Sequence, residues 1–127
     1  MVTLSVLNDK EKTARLFSEK GIEQNENSLC LVAFDGKKDL GFSLFDITKD
    51  KAVIKYIEPL GDLSLADGIL RSTLHIAAQR FVMNAFYDDK TVPEEFFRKL
   101  GFIKDEQEKS LNMDKLFMSC GSCEKEG

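Results

Sequence analysis

Apolar and polar residues alternate over residues 2–7, Val-Thr-Leu-Ser-Val-Leu, which predicts a first strand with one buried face. Asn8 then reads as a helix N-cap, with Glu11 in capping-box position, and the helix runs to about Lys20. Gly21 suits the left-handed position just past a helix end. Residues 22–27 are polar and read as a loop, and residues 29–34 as a short apolar strand. Asp35-Gly36 signals a hairpin, with a loop longer than two residues. The next strand covers residues 40–48, and its apolar residues change phase between Leu44 and Phe45. That change marks a bulge or a strand buried on both faces. After Lys49-Asp50 turns the chain, residues 51–58 form a fourth strand, which Pro59 ends because it has no N–H for the ladder.

A longer period follows. Over residues 65–80, Asp67, Arg71, His75 and Gln79 make a polar stripe, and Leu70, Leu74, Ala77, Ala78 and Phe81 a buried one. Ser64 and Asp67 form a capping box that starts this helix at Leu65. Residues 81–86 read as a fifth strand. Pro93 opens a short helix that ends at Leu100 before Gly101. Residues 102–103 and roughly 114–119 are the last strand candidates, and the charged stretch 104–109 is a solvated loop. Three meandering strands followed by a strand–helix–strand crossover imply an α/β (α+β) fold: a mixed, mostly antiparallel twisted sheet, with a long helix after strand four and a short helix after strand five.

Composition narrows the class. The 127 residues suit a single domain, 1–127, with no internal repeat or linker. A 43% hydrophobic content supplies a core, and 31% charged residues suit a soluble surface. No apolar run approaches the roughly 20 residues of a membrane span, and the first eight residues lack the pattern of a signal peptide. The expectation is a cytoplasmic protein with no membrane partner. A net charge of −4 argues against nucleic-acid binding, which needs a basic face. Cys30 lies in an apolar run and reads as a small buried hydrophobe. Cys120 and Cys123 form a Cys-x-x-Cys pair, which is half of a structural zinc site; incidental cysteines are the simpler reading, and no metal is expected.

The order of elements resembles the GNAT N-acyltransferase superfamily. Within it, Glu95-Phe96-Phe97-Arg98-Lys99-Leu100-Gly101-Phe102 looks like the F-Y-x-K-x-G-F segment that ends the short helix of many members. The segment from Asp67 to Leu74 looks like the end of the family's Q/R-x-x-G-x-G/A loop and the helix after it. The resemblance implies acetyl-CoA as cofactor, its pantetheine arm between the parting fourth and fifth strands and its pyrophosphate at the start of the long helix. Free N–H groups and the helix dipole make such a terminus an anion site. The residues it brings to the coenzyme are Ile57, Gly68, Ile69, Leu70, Arg71, Asn84 and Phe97. It places a general base at Glu58, at the end of the fourth strand.

The chain departs from the pattern at named positions. The first loop position falls on Leu65, the glycine on Gly68 and the final Gly/Ala on Leu70, so one of three signature positions is kept. Asp62 and Asp67 add negative charge where a pyrophosphate would dock, so the helix end looks satisfied by its own cap. The tyrosine that protonates the leaving thiolate is replaced by Phe97, and neither Tyr56 nor Tyr87 matches its position. Phe96 and Phe97 are adjacent, so one is expected in the core and the other along the cleft.

Each residue also has a plainer reading. Glu58 is otherwise a solvated strand-end carboxylate, and Asn84 a residue that turns the chain. His75 is a surface histidine. Arg71 either pairs with Asp67 at i, i+4 or reaches a phosphate of the coenzyme. The leading function is acyl-CoA-dependent acetyl transfer to a small or peptide amine. The alternatives are a catalytically inactive interaction protein of the same fold and a thiol or metal module using Cys120 and Cys123. A homodimer stays open.

Overall fold

The computed structural model describes residues 2–116. The elements follow the order β1 (Val2–Val6), α1 (Lys10–Glu19), β2 (Ser28–Asp35), β3 (Lys38–Ile47), β4 (Ala52–Glu58), α2 (Leu63–Gln79), β5 (Ala85–Tyr87), α3 (Glu94–Leu100), β6 (Ile103–Asp105) and β7 (Ser110–Leu111). They build one seven-stranded sheet in the order β1-β2-β3-β4-β5-β7-β6. Among the described residues only the β4–β5 pair is parallel, which is the pair that α2 connects as a crossover.

The pleat explains how the two faces are filled. On one face, Leu31, Ala33, Phe45, Ile47, Ala52, Ile54 and Ile57 pack with Ile69, Leu70, Leu74 and Ala77 of α2 and with Phe96 and Phe97 of α3. On the other, Cys30, Val32, Phe42 and Leu44 pack against Phe17 of α1 and Ile22. β3 is therefore buried on both faces through its second half. A register shift does fall at Leu44/Phe45, as the phase change predicts, but the extra residue belongs to β4: Leu44 opposes Tyr56 and Phe45 opposes Ile54, leaving Lys55 unopposed.

Several boundaries differ from the expectation, each for a local reason. α1 is capped by Asp9, not Asn8; its carboxylate accepts from the N–H groups of Glu11 and Lys12. Both residues are good caps, and the one that reaches two amides wins. The β2–β3 loop is only Gly36 and Lys37, because Asp35 pairs with Lys38. Gly36 (φ 63°) supplies the left-handed turn, and an extra residue at Leu40 absorbs the offset. α2 starts at Leu63 under an Asp62 cap, so Ser64 and Asp67 lie inside the helix.

The α2 stripe holds at Leu70, Leu74 and Ala77, whereas Phe81 is 92% exposed. The N–H groups of Phe81 and Val82 return to Ala78 O and Ala77 O, closing the helix with Phe81 at φ 64°. That turn throws the phenyl ring outward and puts Val82 in the core instead. β5 therefore starts at Ala85, not at residue 81. Residues 114–116 are helical rather than extended, and the rest of that expected strand, 117–119, lies outside the described residues. Cys120 and Cys123 lie outside the described residues, among which no cluster of metal-ligating side chains occurs and no helix is long and apolar enough to cross a membrane.

Candidate functional site

β4 and β5 pair over three residues only: Ala52 with Ala85, Val53 with Phe86, Ile54 with Tyr87. The N–H of Asp88 donates to Ile54 O at 3.0 Å as the last bond of the ladder. The bulge at Lys55 comes next, and β4 continues to Glu58 without a β5 partner. The strands thus part immediately before the segment that leads into α2. Lys55 is anchored at this point: its Nζ lies 2.7 Å from Asp46 Oδ2 and donates to Glu23 O at 3.0 Å. Asp46 also accepts from Ser28 Oγ at 2.6 Å and Asn25 Nδ2 at 3.0 Å. The network ties the loop after α1 to the bulge.

At the start of α2, the Asp62 carboxylate accepts from Leu65 N–H at 3.1 Å and the Asp62 carbonyl from Ala66 N–H. Of the first-turn amides, those of Leu63 and Ser64 are left over by the cap. Gly68 sits in the second turn, so its N–H lies inside the i→i−4 ladder. The glycine in the loop ahead of the helix is Gly61. A Cβ built on either glycine meets nothing within 4 Å.

Gly41 is the opposite case. A Cβ there would lie 2.5 Å from Glu58 O, 2.7 Å from Pro59 Cδ and 3.0 Å from Ile69 Cδ1. Only glycine lets the end of β4, whose Glu58–Pro59 peptide is cis, and the flank of α2 lie this close to β3.

Glu58 is partly exposed at the strand end, but it is not alone. Tyr56 Oη donates to its Oε1 at 2.9 Å, and Lys20 Nζ lies 3.0 Å from the same oxygen. The Lys20 ammonium also stands 5.4 Å from the Tyr56 ring centroid and 5.9 Å from that of Phe42. Donating to Glu58 holds the Lys20 pKa above its ordinary value. Burial, reinforced by the bond to Glu58, raises that of the Tyr56 phenol. An amine that approaches Glu58 at Oε1 competes there with Lys20. The Tyr56–Glu58 pairing was legible as an i, i+2 relation on one strand face; Lys20, 38 positions from Glu58 in the chain, had no local signal.

The remaining candidates divide into two groups. Ile57, Ile69 and Leu70 are buried side by side in the α2-side core, and Gly68 is half-exposed beside them. Arg71 donates from Nε to Asp67 Oδ2 at 2.9 Å, the i, i+4 pairing anticipated, and its guanidinium lies 5.2 Å from the Phe102 ring centroid. Asn84, in contrast, is at the opposite end of the strands, beside the β3–β4 turn. Its carbonyl accepts from Ala52 N–H, and its Nδ2 donates to Asp50 O at 3.4 Å. Phe96 and Phe97 are both buried, edge to face at 5.1 Å, so neither is left over for a cleft. Tyr87 packs against Phe97 with centroids 4.5 Å apart. Burial raises the Tyr87 pKa strongly, and its hydroxyl donates to Glu94 at 2.9 Å.

No family model and no curated protein matches the sequence. Solved structures do match the fold. A ribosomal-protein-alanine N-acetyltransferase from Brucella melitensis aligns with a TM-score of 0.57 at 17% identity, covering 79% of this chain and 88% of that one. A predicted acetyltransferase from Clostridium acetobutylicum, solved with acetyl-CoA, aligns with a TM-score of 0.57 at 16% identity over 91% and 98% of the two chains. A GNAT-family acetyltransferase from Streptococcus pneumoniae gives 0.57 at 14% identity over 81% and 88%. With its parallel pair opening at a bulge ahead of the long helix, the chain has the fold of the GNAT acetyltransferases.

Proposed function

We propose that this is a cytoplasmic protein that binds an acyl-coenzyme A, acetyl-CoA first of all, and transfers the acyl group to a small-molecule or peptide amine. The parting of β4 from β5 at the Lys55 bulge, directly ahead of α2, carries the reading. Beyond Ile54, the backbone of β4 has no β5 ladder to satisfy it. An extended ligand with amides of its own can add to such an edge as a strand would. When bound, the coenzyme supplies a thioester carbonyl, the electrophile an amine needs.

The chain's residues then have distinct tasks. The amides of Leu63 and Ser64 and the α2 dipole favour the diphosphate, Gly61 and Gly68 leave room for it, and Arg71 offsets the charge of Asp67. Ile57, Ile69 and Leu70 are the buried apolar layer behind the gap, and Phe97, equally buried, lies in the core rather than along it. Glu58 takes the proton of the incoming amine once Lys20 yields its place on Oε1. Phe97 cannot donate a proton, so the leaving thiolate takes one from water. Asn84, at the far end of the strands, drops out of the coenzyme site.

Titration with acetyl-CoA, read by calorimetry and thermal shift, tests the binding step. Ligand at about 100-fold over Kd adds about 2.7 kcal/mol to stability. No heat and no shift at millimolar ligand removes the proposal. Release of free thiol across a panel of amines then tests transfer. A non-catalytic GNAT-fold binding protein is the second reading, favoured by Phe97 in the acid position and by Lys20 on Glu58. Saturable binding with no thiol released for any amine supports it, and robust transfer defeats it.

A further inference from the structure

We infer that two copies of this chain pair through β1, antiparallel about a two-fold axis at Leu4, to form one continuous sheet. The inference stands apart from acyl transfer. Among the described residues β1 is an open edge of the sheet, and none of its five residues is charged or proline. The other edge, β6, is a three-residue strand carrying Lys104 and Asp105. Edges that stay single in solution are usually guarded by charge, proline or brevity; β6 is guarded in this way and β1 is not.

The backbone of β1 is set for pairing. Leu7 N–H donates to Cys30 O at 2.8 Å. N–H and C=O directions alternate along a strand, so Thr3 and Ser5 turn theirs toward β2, while Val2, Leu4 and Val6 turn theirs outward. The pattern of Val-Thr-Leu-Ser-Val is symmetric about Leu4, with the hydroxyl residues Thr3 and Ser5 at equivalent positions. A two-fold partner therefore sets Leu4 against Leu4, Val2 against Val6 and Thr3 against Ser5. Each of the three outward-facing pairs exchanges two hydrogen bonds, and Thr–Ser neighbours add to the pairing. This self-complementarity is what an isologous contact requires, and it favours a second copy over an unrelated extended peptide.

The space beside the strand also fits. Two cavities flank Leu4 on the α2 side. One, of about 440 Å³, runs from Val2 and Leu40 to Asp62, Ser64, Leu65 and Gly68 at the start of α2. The other, of about 370 Å³, is lined by Val6, Leu31, Ser72 and Ile76. The partner's Val6 meets the Val2 edge of the first and the partner's Val2 the Val6 edge of the second.

Sedimentation of the wild-type protein across micromolar to millimolar concentration should show a reversible dimer. Thr3 and Ser5 are exposed, so Thr3→Lys with Ser5→Lys leaves the fold intact by circular dichroism and opposes like charges across the axis. Its dimer dissociation constant should rise roughly tenfold or more. Thr3→Glu with Ser5→Glu should behave the same way, and mixing the two variants should restore a heterodimer. A wild-type monomer at every concentration, a lysine variant that stays dimeric, or a mixture that fails to associate would each overturn the inference, as would a monomer that captures an extended peptide instead.

Discussion

Replacing Gly41 by alanine puts the packing at the end of β4 under direct test. The added methyl falls 2.5 Å from a backbone oxygen and 2.7 Å from a proline ring carbon, neither of which is the tip of a flexible side chain. Relief requires Glu58 and Pro59 to move off β3, or β3 to bend away from α2. Overpacking of this sort costs about 1–3 kcal/mol. At this chain length, each kcal/mol corresponds to roughly 3–5 °C in Tm. Gly68→Ala is the matched control: the same methyl goes into open space, in a helix where glycine is about 0.8–1.0 kcal/mol worse than alanine. Urea unfolding should therefore give a lower midpoint for Gly41→Ala and a higher one for Gly68→Ala, both with the wild-type m value. If Gly41→Ala is as stable as wild type, or if the two variants shift in the reverse order, the close approach of β3, β4 and α2 is wrong. Because Gly41→Ala displaces the strand that parts from β5, it should also weaken acetyl-CoA binding under the proposed function.

Asp46→Ala strands Lys55, Asn25 and Ser28 around a largely buried site and should cost roughly 2–4 kcal/mol in urea unfolding, more than Lys55→Met, which leaves Asp46 its two neutral donors. The bonds that Glu94 accepts from Tyr87 first, and then from Arg98, hold its pKa below the ordinary value. Folding lowers this pKa, so its contribution is present above the unfolded value of about 4.3 and is lost as pH falls through the lower, folded value. Glu94→Gln should flatten the loss of Tm between about pH 5 and pH 3. Burial pushes the Cys30 thiol up to about 12, so iodoacetamide at pH 8 should leave it unmodified in the native protein and alkylate it in urea, as peptide mass mapping would read.

Period-two and helical patterns were enough to order the strands and helices through α3, because each has a face that must meet the core. The misses cluster where several good local choices compete. Asn8 and Asp9 are both caps, and Ser64-x-x-Asp67 is a well-formed box that the chain bypasses for Asp62. Phe81 continues the apolar stripe of α2 in sequence, yet the helix closes a residue too early for it to be buried. At the site, Glu58 and Arg71 could be placed from their elements. The pairing of Glu58 with Lys20 depends on α1 crossing the sheet, and the tight fit around Gly41 on three elements meeting, neither of which a local window contains.

The single unopposed residue at Lys55 has a geometric effect further along the strand. In an uninterrupted pleat, Ala52, Ile54, Tyr56 and Glu58 would share one side. Ala52 and Ile54 do face α2, but so does Ile57, while Tyr56 packs on the α1 side with Phe42. The inserted residue inverts the alternation, so that the phenol and carboxylate come out beneath Lys20 instead of inside the α2 core. Removing one residue here would swap an aliphatic side chain and an acid between interior and surface. Which compartment the charge occupies is therefore decided by a count of residues along β4 as much as by the identity of residue 58.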